Sequence, residues 1–135
     1  MTTIAQAREF IYERFAAQWN LADGAFTFDG EDYKEVAGSP WVRLTVRHSA
    51  RAQDTLGEVG NRQFEQRGSV LMNIFIPDNT GTAASDTLAG KCRAIFEGVS
   101  FSGLYFYESD FREIGSDGLW YMVVVESKFS YNETK

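Results

Sequence analysis

Apolar residues recur at helical spacing in two parts of the chain. Near the start, Thr3 and Gln6 have the spacing of a capping box, and Asp23 followed by Gly24 ends the pattern. Thr82 is a suitable N-cap for a second helix. The apolar stripes of the two predicted helices are Ile4, Ala7, Ile11, Phe15 and Trp19, and then Leu88, Cys92, Ile95, Phe96 and Val99.

Alternation of apolar and polar residues predicts β-strands over most of the remaining chain. The predicted strands cover residues 25–28, 41–48, 64–76, 99–107, 110–115 and 119–131. Residues 119–125 are apolar on both faces, which is typical of a central strand. Ser116, Asp117 and Gly118 predict a hairpin turn before it.

The order of these elements predicts the fold class. Helices and strands do not alternate as they do in parallel α/β folds, so we expect a single α+β domain over residues 1–135. Its two helices would pack on a mixed, mainly antiparallel β-sheet. Residues 49–61 are small, polar and rich in glycine, and we expect them to form a mobile loop or arm.

Charge is distributed unevenly along the chain. The net charge of −6 argues against a dedicated nucleic-acid binder, which needs clustered cations. An acidic N-terminal region precedes an arginine-rich one, and opposite charges on one small domain suit head-to-tail self-association. The alternative is that both regions are simply solvated. The candidate interface residues are Arg43, Arg47, Arg51, Arg62 and Arg67 on one side, and Asp29, Glu31 and Asp32 on the other.

Candidate chemical groups are few. The chain has one histidine, His48, which we interpret as a surface or satisfied residue, and one cysteine, Cys92, which we interpret as a small buried hydrophobe. The acidic loop lacks the ligand spacing of a calcium site. The segment 77–82 resembles a phosphate cradle but lacks the lysine of a nucleotide-binding loop, which favours a turn and helix cap. We therefore predict no catalytic residue, metal or cofactor.

The sequence also bears on the compartment. No leader or membrane span is recognisable, and a single cysteine favours a reducing environment. Eleven Phe, six Tyr and three Trp are a composition that favours protein interfaces as well as cores. These observations favour a protein that acts through surfaces it presents to other proteins.

A series of short signatures supports a family resemblance. They are Phe15 and Trp19 at the end of the first helix, then segments 40–46, 60–64, 67–70 and 74–77, Leu88, Phe96, and segments 118–121 and 129–131. In this order they resemble the tail terminator proteins of long-tailed bacteriophages, including the lambda-like minor tail protein and its prophage relatives. The similarity spans nearly the whole chain.

The resemblance implies a structural role without enzymatic activity. Such proteins form a ring, typically a hexamer, which caps the tail tube, stops its polymerisation and offers its other face to head-completion proteins. DNA passes through the lumen without specific binding, and no membrane is involved. The protein would act in the virion tail, after assembly in the host cytoplasm, and would be a monomer in dilute solution.

Two alternatives remain at this stage. One is another head–tail connector, such as a neck or stopper protein of similar shape. The other, from a different class, is a small anion- or nucleotide-binding domain that uses the turn at residues 78–82. Under the terminator interpretation, the arginine-rich and acidic regions would face each other between copies, and residues 49–61 would become ordered on assembly.

Overall fold

The computed structural model describes residues 3–19, 24–31, 34, 39–78 and 82–134. Two helices and six strands make up this part of the chain. In order they are α1 (Ile4–Gln18), β1 (Ala25–Phe28), β2 (Trp41–Gln53), β3 (Gln63–Pro77), α2 (Ala83–Phe96), β4 (Ser100–Phe101), β5 (Leu104–Ser116) and β6 (Trp120–Thr134).

All six strands belong to one sheet, in the order β1-β2-β3-β6-β5-β4. Only β1 and β2 are parallel, and every other neighbouring pair is antiparallel. The α+β fold with a mainly antiparallel sheet is therefore confirmed. The last long strand, β6, lies between β3 and β5, as its two-sided apolar run predicts.

Helix α1 begins with the predicted capping box. The backbone N–H of Gln6 donates to Oγ1 of Thr3 at 3.2 Å, and the Thr3 N–H donates to Oε1 of Gln6 at 3.0 Å. Each bond satisfies a donor that the first helical turn leaves open. The helix ends at Gln18, ahead of the predicted stop, whose Asp23 lies outside the described residues.

Helix α2 begins after Thr82, as predicted, but not through a side-chain cap. The Thr82 side chain makes no capping hydrogen bond, and its carbonyl accepts from Oγ of Ser85 at 2.8 Å and from N of Asp86 at 3.0 Å. The chain leaves the helix through Gly98, whose φ of 66° suits a residue without a side chain.

The core lies between the two helices and one face of the sheet, the helix-side face. Alternate residues of β2, β3 and β6 point into it because side chains alternate between the faces of a strand. The buried helix residues include Ala7, Ile11, Phe15, Leu88, Cys92, Ile95 and Phe96, and the buried strand residues include Val42, Leu44, Val46, Val70, Met72, Ile74, Val123, Val125 and Phe129.

Several predicted boundaries differ from the structure: β6 continues to Thr134, and α2 ends at Phe96, before Val99. The predicted loop at 49–61 begins later, because Ser49–Gln53 continues β2 and pairs with β3 as far as Phe64. The predicted strand 99–107 is interrupted by a turn at Ser102 and Gly103, whose φ values of 50° and 81° suit a tight hairpin. After this turn β5 runs unbroken through the segment 110–115.

Gly68 occupies a position that only glycine fits. It pairs with His48 just where β2 bulges, between His48 and Ala50. A Cβ at Gly68 would lie 2.4 Å from the carbonyl oxygen of Arg47 and 2.7 Å from Cζ of Phe129. Both neighbours belong to the sheet, so neither can move aside without disturbing a strand.

We expect Gly68→Ala to lower the free energy of unfolding by about 2–3 kcal/mol, because overpacking a closed site costs that much. The matched control is Gly90→Ala in α2, where an added Cβ meets nothing within 4 Å outside its own helix. This control should be neutral or stabilise by up to about 1 kcal/mol. Urea unfolding followed by circular dichroism measures both; equal stabilities would contradict the steric role of Gly68.

Candidate self-assembly surface

The hairpin of β2 and β3 extends beyond the helix-covered core. We call residues 49–67 the hairpin arm. Every residue from Ser49 to Asn61 is exposed. The two strands stay paired to the base of the loop, where N of Asp54 donates to the carbonyl of Gln63 at 2.8 Å. On its other side, β3 pairs with β6 from Gln63 opposite Thr134 to Arg67 opposite Ser130, so only the loop at residues 54–62 extends beyond the sheet.

The loop of the arm carries two apolar side chains in solvent. Leu56 is 95% exposed and Val59 is 83% exposed. Single exposed apolar residues are common on protein surfaces, but two near the tip of a projecting hairpin favour a protein contact. Residues 49–61 are mostly polar in sequence, and this composition does not indicate that Leu56 and Val59 form an exposed apolar pair. Their exposure follows from the position of the loop, which nothing in the described chain covers.

Arg51 fastens the arm to the rest of the sheet. Its Nη1 lies 3.1 Å from Oε2 of Glu133 and 3.3 Å from Oε1 of Gln66, and its guanidinium lies over the ring of Phe64 at 4.9 Å. Glu133 and Gln66 are both buried. A buried carboxylate is stabilised by a cation at this distance, so Arg51 has a structural role within the monomer.

The other four candidate arginines have different surroundings. Arg47 is exposed on β2, and Arg62 is half-buried beside the loop. Arg43 lies deeper, with its guanidinium 5.4 Å from the ring centre of Trp41. Arg67 is exposed and hydrogen-bonds Glu65, and this bond raises the pKa of Arg67.

The described acidic candidates follow β1, the edge strand that pairs with the start of β2. Asp29 follows β1 directly, and its N–H donates to the carbonyl of Leu44 in β2 at 2.8 Å. Oε1 of Glu31 accepts from N of Phe28 at 3.2 Å. Asp32 lies outside the described residues. The role of these acids and arginines in an interface stays a prediction.

A shallow cleft of about 270 Å³ lies on the arm. Its walls combine small side chains with charges of both signs: Ala50, Arg51, Ala52, Asp54, Glu65 and Arg67. This lining brings two of the predicted arginines together. It is a feature of the same exposed surface as the arm's loop.

His48 is satisfied within the fold. Its Nε2 lies 3.0 Å from the hydroxyl of Tyr131, and its ring meets that of Phe129 edge to face at 5.7 Å. Burial, and secondarily the charge of Arg8, lowers the pKa of His48. Burial raises the pKa of Tyr131 to about 12, so this hydroxyl is not activated as a nucleophile. The arrangement fits the structural interpretation of His48.

The other candidates for a chemical role are Cys92, the side chains of metal-binding types and the loop at residues 77–82. Cys92 is completely buried in the core, and burial raises the pKa of its thiol to about 12. Within the described ranges, no three side chains of the metal-binding types cluster. Of the candidate anion loop, residues 79–81 lie outside the described chain.

Neither α1 nor α2 has the length and apolarity that crossing a bilayer requires.

Strand β5 carries exposed apolar residues that sequence reasoning missed. Tyr105, Tyr107, Phe111 and Ile114 are all exposed along it. The alternation of aromatics with small residues predicted a strand here, but not which of its faces or edges is open. That depends on the position of β5 near the end of the sheet, next to the short β4.

Comparison with known proteins identifies the class. A family model described as "Phage tail terminator protein" matches residues 6–102, well over half of the chain. The protein therefore belongs to the phage tail terminator family, a structural family of phage tails. The family resemblance expected from the sequence is confirmed.

A solved structure shares the fold. It aligns with a TM-score of 0.64 over 92% of this chain and 94% of its own, at 13% sequence identity. At this identity the likeness shows the fold alone. No curated protein is significantly similar in sequence.

We expect Arg51→Met to loosen the arm, because it removes the guanidinium that contacts buried Glu133. Amide exchange in the segments 49–53 and 63–67 should become faster, with a loss of about 1–2 kcal/mol of local stability. Arg47→Met removes the same charge from an exposed position and serves as the control. Hydrogen-exchange mass spectrometry compares the two; unchanged exchange in Arg51→Met would contradict the fastening role.

Proposed function

We propose that the protein assembles into a hexameric ring that caps the tail tube, stops its polymerisation and provides the surface for head attachment. Membership of the tail terminator family carries this proposal. The ring would form at high local concentration, and the monomer would dominate in dilute solution. Its partners would be copies of itself, the tube protein and a head-completion protein, met in the virion and during assembly in the host cytoplasm.

The described surface supports self-assembly. A ring needs a head-to-tail contact, in which two different patches of one chain meet on neighbouring copies. The loop of the hairpin arm supplies a projecting element, with exposed Leu56 and Val59. Burying such side chains against a neighbour contributes roughly 1–2 kcal/mol each. The arm would lose conformational freedom on assembly, as the sequence predicts for residues 49–61.

The chemistry of the chain is consistent with a structural role. His48 and Cys92 both have partners or surroundings within the fold that leave them unsuited to nucleophilic catalysis. The net charge of −6 would favour a lumen through which DNA slides instead of binding. We therefore propose a non-enzymatic protein that needs no metal or cofactor.

The decisive test is the length of the tails made without this protein. A phage in which its gene is inactivated should produce abnormally long tube polymers, visible by electron microscopy. Supplying the chain in trans should restore uniform length. Tails of normal length that fail to join heads would overturn the terminator role and identify a neck protein instead.

The arginines can be tested through the mass of the assembly. We expect Arg47→Glu combined with Arg62→Glu to shift the ring toward monomer in multi-angle light scattering over a concentration series, because charge reversal weakens a complementary contact. Arg51 is left unchanged because it contacts Glu133 within the monomer. As a control, Lys91→Glu reverses a charge at an exposed position of α2. An unaltered mass would remove both arginines from the interface.

A further inference from the structure

The sheet ends in two open strand edges. On one side, β1 pairs only with Trp41–Leu44 of β2, so residues 47–53 have no outer strand among the described residues. On the other side, β4 pairs only with Leu104 and Tyr105 of β5. The end of α2 extends this cover as far as Ser109, whose N–H donates to Glu97 at 3.0 Å.

The open part of β5 is therefore residues 110–116. Within the described chain, no strand lies along its outer side. Open edges present unpaired N–H and C=O groups, and they readily accept another strand. The two open edges of this sheet have the same length and lie at opposite ends of the strand order.

We propose that residues 47–53 of one copy pair with residues 110–116 of a second copy, so that the sheet continues from subunit to subunit. This inference rests on the proposed ring and names the contact that builds it. Its occupant is a second copy of this chain, because each copy offers both edges. The contact is head-to-tail, as a closed ring requires.

Strand direction agrees with this pairing. From β2 to β3, β6 and β5, each neighbouring pair is antiparallel, so β5 runs opposite to β2. A second copy added in the same orientation therefore presents its β2 antiparallel to the β5 of the first. No copy needs to be inverted, as a repeating head-to-tail contact requires.

The irregularities of the two edges define the register. The β2 edge is bulged between His48 and Ala50, and the β5 edge is irregular between Glu113 and Gly115. One antiparallel register brings the two irregularities opposite each other, so that neither interrupts the new ladder. The opposed residues are Gln53 with Phe111, Ala52 with Arg112, Arg51 with Glu113, Ala50 with Gly115, and His48 with Ser116.

The same register matches the faces of the two sheets. Arg51 pairs with Gln66 and Glu113 pairs with Val123 within their own sheets, which places both on the helix-side face. Ala52 and Arg112 both lie on the opposite face by the same alternation. A shift by one residue would place side chains against the wrong face at every position.

Charge favours this pair of edges over others. Residues 47–53 contain Arg47 and Arg51 and no carboxylate, and the register places Arg51 opposite Glu113 and Arg47 opposite Asp117. Asp110, which the register leaves opposite Asp54, forms an ion pair with Lys128 of its own chain. Opposite charges across strands stabilise the pairing, and like charges oppose it. Asp29 and Glu31 lie beside β2, on the same edge of the sheet as Arg47. The carboxylates of β5 lie at the opposite edge, which is the edge that meets β2 of the next copy in a head-to-tail contact.

The exposed apolar residues also meet in this arrangement. Phe111 and Ile114 are 36% and 56% exposed on the β5 edge, where the neighbouring strand would cover them. Beyond the pair of Gln53 with Phe111, the arm of the second copy continues toward Tyr107. Its loop, with Leu56 and Val59, would then meet β4 and the end of α2, which cover the outer side of β5 as far as Ser109.

Disulfide trapping tests the register directly. The variant Ala52→Cys with Arg112→Cys places thiols on opposed residues, whose Cα separation in an antiparallel ladder suits a disulfide. The control, Ala52→Cys with Glu113→Cys, moves one thiol to the other face. The native Cys92 is buried and does not compete. Mild oxidation of the assembled protein should give a ladder of multimers, with about tenfold more product for the first variant.

The outcomes separate the two proposals. If light scattering shows a ring but the opposed thiols do not cross-link, or the control cross-links equally well, the edge pairing is overturned and the ring stands. If neither variant associates at any concentration while the unaltered chain also stays monomeric, both the edge pairing and the ring proposal are overturned. A ladder specific to the opposed pair supports both.

A second variant tests the edge without new thiols. Ile114→Lys places a charge at the proposed contact, and Ile4→Lys makes the same change on α1 at a similarly exposed position, 44% against 56%. We expect the dissociation constant of the ring to rise about tenfold or more for Ile114→Lys alone, because a buried unpaired charge is costly. Equal association of both variants would overturn the proposal.

Discussion

The antiparallel ladder between β3 and β6 is the interaction on which the rest of the structure depends. It runs over the whole of both strands, from Gln63 opposite Thr134 to Pro77 opposite Trp120. One half is apolar on its helix-side face and packs against α2, while α1 contacts α2 and the strands β1 and β2. The other half is polar and carries the base of the hairpin arm. The core and the hairpin arm are therefore built on the same ladder, so a change in the pairing of β3 with β6 would affect both.

Hydrophobic periodicity predicts the helices and most strands because burial imposes it. It fails for Ser49–Gln53, where no helix covers the sheet and neither face needs apolar residues. That part of β2 is held by backbone pairing and by the contact of Arg51 with Glu133, 82 residues apart in sequence. Such distant polar partners leave no local pattern. The hydrophobic pattern of a single strand also does not show where that strand lies in the sheet.

The interface role of the arginines and acids stays a prediction, and the sequence locates these residues only in part. Arg51, Arg62 and Arg67 lie within the hairpin arm, whereas Arg43 and Arg47 precede it on β2. Five arginines of similar appearance in the sequence nevertheless have distinct roles, since Arg51 contacts a buried carboxylate and Arg43 lies over Trp41. The exposed side chains of β5 were missed because an apolar residue in a strand ordinarily indicates burial. Exposure becomes visible only when the strand order shows where the sheet ends.

The separation of Arg51 from Glu133 along the chain has a consequence for the timing of folding. Contacts between distant residues form late, since a large loop must first be closed. The base of the arm is completed only when β6 docks against β3, which is the step that also closes the core. A chain that is still partly folded thus lacks a finished arm. In the proposed ring, such a chain would present no competent surface to its neighbours, and the topology itself would disfavour premature association of incomplete subunits.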